Sequence, residues 1–260
     1  MTDLSHGKTQ SLKSKVSPQE WAMRVDVAAC YRLVALFGMN DLVYNHISGR
    51  VPGEDGHFLI NPYGFAYEEV TASSLMKIDF DGNVVLDSGT GCGVNQAGFV
   101  IHSAIHRGRE DVACVIHTHT PAGMAVSAME CGLLPLTQNA MFFGKLGYHD
   151  YESVAIDLDE QKRLVRDLGP DGRAMILRNH GLLTAGRTVC DAFVTVHWLE
   201  KACQAQVMAM ACNTELNHPS ADVVRLTNER YMPGQRRRIT ELEWPAMLRM
   251  LDRRDPSYRD

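Results

Sequence analysis

Apolar positions first fall into a helical rhythm after Ser17-Pro18-Gln19-Glu20. Ser17 is suited to cap a helix, Pro18 to its first turn, where a missing N–H is no loss, and Glu20 to complete a capping box. Trp21, Val25, Ala28, Ala29, Leu33, Leu36 and Phe37 follow near the 3.6-residue period, and Gly38 supplies a left-handed stop. The pattern then shortens. His46-Ile47-Ser48 and His57-Phe58-Leu59-Ile60 read as strands, Asn61-Pro62-Tyr63-Gly64 as a turn, and Leu75 to Val85 as a hairpin turning at Asp81-Gly82. Helical spacing returns from Asn95 to Arg107, and the apolar run from Val112 to His117 predicts a buried strand. Thr120-Pro121 opens another helix, Leu133 to Leu136 reads as a short strand, and Asp157 to Leu168 as an amphipathic helix. Ala174 to Leu177 is a second buried strand, which Leu182-Leu183-Thr184 is expected to continue past Asn179-His180-Gly181. Val189 to Cys212 predicts a long helix, and shorter C-terminal helices are broken at Pro233-Gly234.

Strands and helices intermix without a long linker or a repeat. That predicts one α/β domain, with helices packed against a partly antiparallel sheet. The polar stretch from Met1 to Ser17, with Lys8, Lys13 and Lys15, is expected to be a mobile tail, leaving residues 18–260 as the folded domain. It lacks the apolar core of a signal peptide, and no apolar run reaches the length of a membrane span, so a cytoplasmic protein without a membrane partner is expected.

Composition narrows the chemistry further. Lys and Arg number 26 against 31 Asp and Glu, a net charge of −5, which argues against a nucleic-acid partner. The basic run Arg236-Arg237-Arg238 is largely offset by Glu241, Glu243, Asp252 and Asp255. Seven cysteines, an odd number without a C-x-x-C pair, argue against a disulfide framework and a zinc ribbon. They read as reduced small hydrophobes, and Cys114, in a buried strand, as inert. No glycine-rich dinucleotide fingerprint follows a first strand, and phosphate-loop and Gly-x-Ser-x-Gly patterns are missing from the sequence.

The 11 histidines carry more information. In His117-Thr118-His119, at a strand end, side chains two apart point to one side, so both rings can converge. His180 ends the other buried strand, where Gly181 gives the backbone freedom to turn the ring off the strand. Three neutral imidazoles on rigid elements can cage a divalent cation with positions left open. The alternative is that all three are ordinary hydrogen-bonded histidines. His102 and His106 share a helix face but lack the Glu of a zincin helix. His46, His57, His149, His197 and His218 are isolated in sequence, and a partly exposed or hydrogen-bonded role is expected for each.

Asn45-His46-Ile47-Ser48, Asn61-Pro62-Tyr63-Gly64, Ala97 to His102, His117 to Pro121 and Arg178 to Leu183 occur in the order seen in the class II aldolase/adducin family, which the chain resembles over about residues 20 to 215. The resemblance implies a three-layer α/β/α fold with a central, largely antiparallel sheet. It also implies a homotetramer with active sites near subunit interfaces. The implied metal ligands are His117, His119 and His180, holding zinc (Zn2+), or manganese or iron (Mn2+, Fe2+). Sugar-phosphate aldolases of this family carry a catalytic Glu one helical turn before a helix His. That His matches His102, so the Glu position falls on Gly98.

The small phosphate-cradling positions of those aldolases correspond here to Tyr44-Asn45, Tyr63-Gly64 and Gln96-Ala97. The substrate implied is therefore a small non-phosphorylated oxo or hydroxy acid. Asn45, Tyr63 and Gly64 are its candidate binding residues. His102 and Tyr148 are the candidate acid/base residues, and His102 is also a candidate fourth ligand. His149 and Tyr151 are further polar candidates near the mouth. Tyr44, Tyr63, Phe65, Phe142 and Phe143 would suit a flat substrate if they line the pocket, core packing being the alternative.

A metal-dependent carbon–carbon lyase, aldolase or decarboxylase, is the reaction class expected from the resemblance. Its alternatives are a non-catalytic adducin-like binding module and a three-His iron oxygenase. Animal adducins append a long tail that binds spectrin and actin to this domain. With the last residue at Asp260, no such tail is expected here.

Overall fold

The structure, a computed structural model, describes residues 12–144, 146–152, 159–231 and 239–260. An eight-stranded sheet runs in the order β4-β3-β2-β1-β5-β8-β7-β6. The strands are β1 (His46–Arg50), β2 (His57–Ile60), β3 (Met76–Asp79), β4 (Val84–Leu86), β5 (Cys114–Thr118), β6 (Gly147–His149), β7 (Ala174–Leu177) and β8 (Gly181–Gly186). Every neighbouring pair is antiparallel except β6 with β7.

The central strands are buried on both faces, as their unbroken apolar runs require. Cys114 and Ile116 of β5, with Ile47 of β1, pack into a core beneath α1 (Pro18–Leu36) and α6 (Val189–Ala211). Val115, Leu183 and Ala185 point the other way, into a core with Val100, Ile101 and Ile105 of α2 (Gln96–Gly108) and Leu164 and Leu168 of α5 (Glu160–Leu168). Side-chain alternation on β5 thus separates two helix layers, and the expected α/β/α sandwich follows. No helix among the described residues is long and apolar enough to cross a membrane.

Local signals hold at several ends. Ser17 accepts the Glu20 amide, Thr120 caps α3 (Pro121–Ser127), and Gly38 takes φ +67°. Four expectations are corrected. The Glu20 carboxylate closes no capping box; it accepts from Arg24 Nε at 2.9 Å and Lys77 Nζ at 2.8 Å, in a buried charge cluster. Leu12–Lys15 is not part of a tail but a short 3-10 helix; its buried Leu12 donates its amide to Ser73 Oγ, which ties the segment to the domain. Residues 1–11 lie outside the described residues, as do the expected helix start at Asp157, Pro233-Gly234 and Arg236 to Arg238.

Leu133 to Leu136 forms no strand. Pro135 has no N–H to give a ladder, and the Leu133 and Leu134 amides are taken by Tyr148 Oη and Gln206 Oε1. Finally, β8 does not extend β7 but folds back on it, with Leu177 opposite Gly181. Asn179 makes that reversal possible by adopting φ +55°, a conformation Asn tolerates better than most residues.

Candidate metal centre

The site forms where β5 ends in the middle of the sheet. His117, near the end of β5, faces the α2 layer, as Val115 does. His119 follows one residue beyond the strand, and the β7–β8 turn brings His180 to meet them. One nitrogen from each ring lies in a cluster whose members are all within 4.8 Å of one another. His119 Nε2 stands 2.8 Å from His117 Nε2 and 3.0 Å from His180 Nε2.

The outer nitrogens determine what this cluster can hold. His117 Nδ1 donates to the Leu182 carbonyl at 2.9 Å, and His119 Nδ1 meets Asp41 Oδ2 at 3.2 Å. Both acceptors select the tautomer that leaves Nε2 with a bare lone pair. Two such lone pairs facing each other repel unless a cation joins them. Burial and the neighbouring imidazoles hold His117 well below the usual histidine range and His180 at about 4, which disfavours a proton on either ring. The donor set therefore fits a divalent metal ion, which three imidazoles backed by one carbonyl and one carboxylate suit.

The remaining sequence candidates separate by strand face. His102 is fully buried and lies outside the three-imidazole cluster. Its Nδ1 is held by Ser48 Oγ at 2.6 Å, and the same hydroxyl meets His106 Nε2 at 2.8 Å. The His46 and His102 ring centroids are 5.9 Å apart. His102 is held in the α2 layer by Ser48, beside His46 and outside the three-imidazole group.

Tyr148 also departs from expectation. Strand alternation sends it to the face opposite His149, where its hydroxyl accepts the Leu133 amide at 3.0 Å and Arg178 covers its ring. A hydroxyl so engaged is a packing anchor. His149 instead bonds Asp167 at 2.8 Å and Glu160 at 3.3 Å. Phe142 and Phe143 pack against each other, and Phe142 against Trp198, in a core away from the centre. Tyr151 reaches the site, its ring 6.0 Å from that of His180. Tyr44 and Tyr63 are exposed, Gly64 takes φ +97°, and Asn45 is buried with neither amide atom paired.

Sequence reasoning passed over His46, Ser48 and Asp41. For the first two the signal was register: His46 lies directly opposite His117 and Ser48 opposite Val115, so both side chains join the face that carries the centre.

A three-layer domain with this strand order, and three imidazoles converging at a central strand end, has the architecture of a class II aldolase domain. The chain belongs to the class II aldolase and adducin family, whose N-terminal domain pattern matches residues 25–207. It is similar to an aldolase II superfamily protein from Pseudomonas syringae, with TM-score 0.91 and 48% identity over 96% of this chain and 100% of that one. It is also similar to the L-fuculose 1-phosphate aldolase from Glaciozyma antarctica PI12, with TM-score 0.82 and 27% identity over 99% and 98% of the two chains. Rat alpha-adducin is 44% identical over 244 residues, 90% of this chain and 33% of adducin, so the chain spans about a third of that relative.

Proposed function

We propose that this chain is a metal-dependent carbon–carbon lyase, an aldolase or decarboxylase acting on a small non-phosphorylated oxo or hydroxy acid. The observation that carries the reading is the convergence of one nitrogen from each of three imidazoles at the end of β5. His117, His119 and His180 would hold the ion, zinc in the first instance and manganese or ferrous iron as alternatives. When bound, such an ion supplies a Lewis acid that draws electron density from a neighbouring carbonyl or alkoxide.

The protein's own residues do the rest. Asp41 and the Leu182 carbonyl orient two of the rings, so that their Nε2 atoms turn inward to the cluster. Asn45, buried with a free amide, is a binding residue for the acid. Tyr63 and Gly64 stand in place of a phosphate cradle, and the exposed Tyr63 ring offers a flat wall in place of small hydroxyl donors. That substitution supports a substrate without a phosphate group. Homotetrameric assembly with sites near subunit interfaces and a cytoplasmic location complete the reading.

Metal analysis after reconstitution tests it. Wild-type protein should take up one equivalent of zinc, manganese or ferrous ion per chain, and His117→Ala should take up none. Folded wild-type protein that stays metal-free refutes the proposal. A second reading, a non-enzymatic binding module, draws on the identity with alpha-adducin. Turnover of an oxo acid that disappears in His117→Ala excludes it.

A further inference from the structure

We infer that His46 is a substrate-contacting residue of the three-imidazole centre, one ring nitrogen meeting an oxygen of the bound oxyacid. The inference rests on the lyase reading above and deepens it by naming a polar group that recognises the acid.

Three independent features converge on this ring. His46 is the direct cross-strand partner of His117, so the two side chains leave the same face of the sheet side by side. It is only 4% exposed, yet neither Nδ1 nor Nε2 has a partner. The other buried imidazoles of this layer each have at least one nitrogen paired, His102 and His106 with Ser48 and His149 with two carboxylates, whereas His46 has none. An unpaired buried polar group is destabilising, and a ligand that completes its hydrogen bonds recovers that loss on binding.

The third feature is a gap in the facing helix. A Cβ placed on Gly98 of α2 would come within 2.6 Å of His46 Nδ1 and 2.7 Å of Cε1 and Cγ. A side chain at position 98 and the His46 ring therefore exclude each other. The helix gives up a side chain at this point, and the ring takes the space beside the centre.

The chemistry of the ring selects the ligand. His46 stands outside the group of nitrogens that lie within 4.8 Å of one another, so it is placed to touch what the centre binds and not to join the donor set. A neutral imidazole presents one donor and one acceptor. Unlike a carboxylate, it does not repel an anion. A small carboxylic acid, with its oxygens held beside the three rings, matches that offer.

Cobalt(II)-loaded full-length protein, titrated with oxalate and followed by the visible spectrum of the ion, tests the assignment. His46→Leu should bind cobalt within about threefold of wild type but bind oxalate ~10- to 100-fold more weakly, the loss of one charge-assisted hydrogen bond. His46→Gln, which keeps a donor and an acceptor, should recover part of that affinity. Gly98→Ala, which leaves His46 in the chain but displaces its ring, should weaken oxalate in the same way. If His46→Leu fails to fold, the Gln and Gly98→Ala variants carry the comparison.

Oxalate affinity indifferent to all three variants, or no oxalate binding by cobalt-loaded wild type, overturns this inference alone. Parallel loss of cobalt and oxalate in His46→Leu also overturns it, by making His46 a ligand. Wild-type protein that takes up no cobalt overturns both this inference and the lyase reading.

Discussion

Ser48→Ala removes one oxygen from the middle of the α2 layer, at a cost fixed by the two rings that share it. Ser48 Oγ lies 2.6 Å from His102 Nδ1 and 2.8 Å from His106 Nε2, with all three residues fully buried. The hydroxyl has a single proton, so it donates to one ring and accepts from the other. Without it both nitrogens lose their partner, while His102 Nε2 and His106 Nδ1 are already unpaired. Leaving a buried polar atom unsatisfied costs about 1–3 kcal/mol, so two together cost about 2–6 kcal/mol. At roughly 2–4 °C per kcal/mol for a chain of this size, Tm should fall by roughly 4–24 °C. Urea unfolding followed by circular dichroism measures the loss, with the m-value expected to stay constant. Zinc affinity should be unchanged, because neither His102 nor Ser48 belongs to the donor cluster. A stability change under about 0.5 kcal/mol would refute the bridging role. A large fall in zinc affinity would return His102 to the metal's ligands.

Two further outcomes are expected from the same geometry. Asp41→Asn should weaken zinc binding by about 10- to 100-fold, since the carboxylate on His119 Nδ1 orients the ring and raises its basicity; competition with a chromophoric chelator measures this, and an unchanged affinity contradicts it. Stability should also fall on acidification from pH 7 to 5. Burial lowers His46 to about 4, His106 to about 3 and His102 well below the usual range, so below the ordinary value near 6.5 the unfolded chain binds protons that the native state does not. The contribution is complete above about pH 6.5 and declines as pH drops toward the folded values, by on the order of 4 kcal/mol at pH 5 for His46 and His106 together, with His102 acting in the same direction. Urea midpoints that do not move between pH 7 and 5 would show that these rings protonate equally in both states.

Elements whose information is local were legible in the sequence. Ser17, Thr120 and Gly38 act through atoms a few residues away, and the H-x-H pair needs only the pleat of one strand to converge. What escaped depended on pairing over long distance. Tyr148 and His149 are adjacent, and alternation says only that they part; which of them turns toward the centre is decided by β6 joining β7 in parallel. His46 looked isolated because its relation to His117 exists only through the β1–β5 register. The misreading of β8 as a continuation of β7 turned on the backbone of Asn179, whose positive φ no hydrophobic pattern reveals.

The placement of β5 also governs how quickly the centre can let go of what it holds. His117 belongs to a strand hydrogen-bonded on both sides, to β1 and to β8, and His119 directly continues it, so separating the two requires parting the sheet along its middle. His180 sits instead on a tight turn, tethered through its own amide to the Leu177 carbonyl and through the Asn179 amide to Ser127 on α3. Local openings of a fold begin at such turns and reach central strands last. In the proposed metal centre an ion would therefore exchange through the β7–β8 turn, with His180 the donor expected to detach first. Its dissociation rate is then expected to follow the hydrogen bonds of that turn.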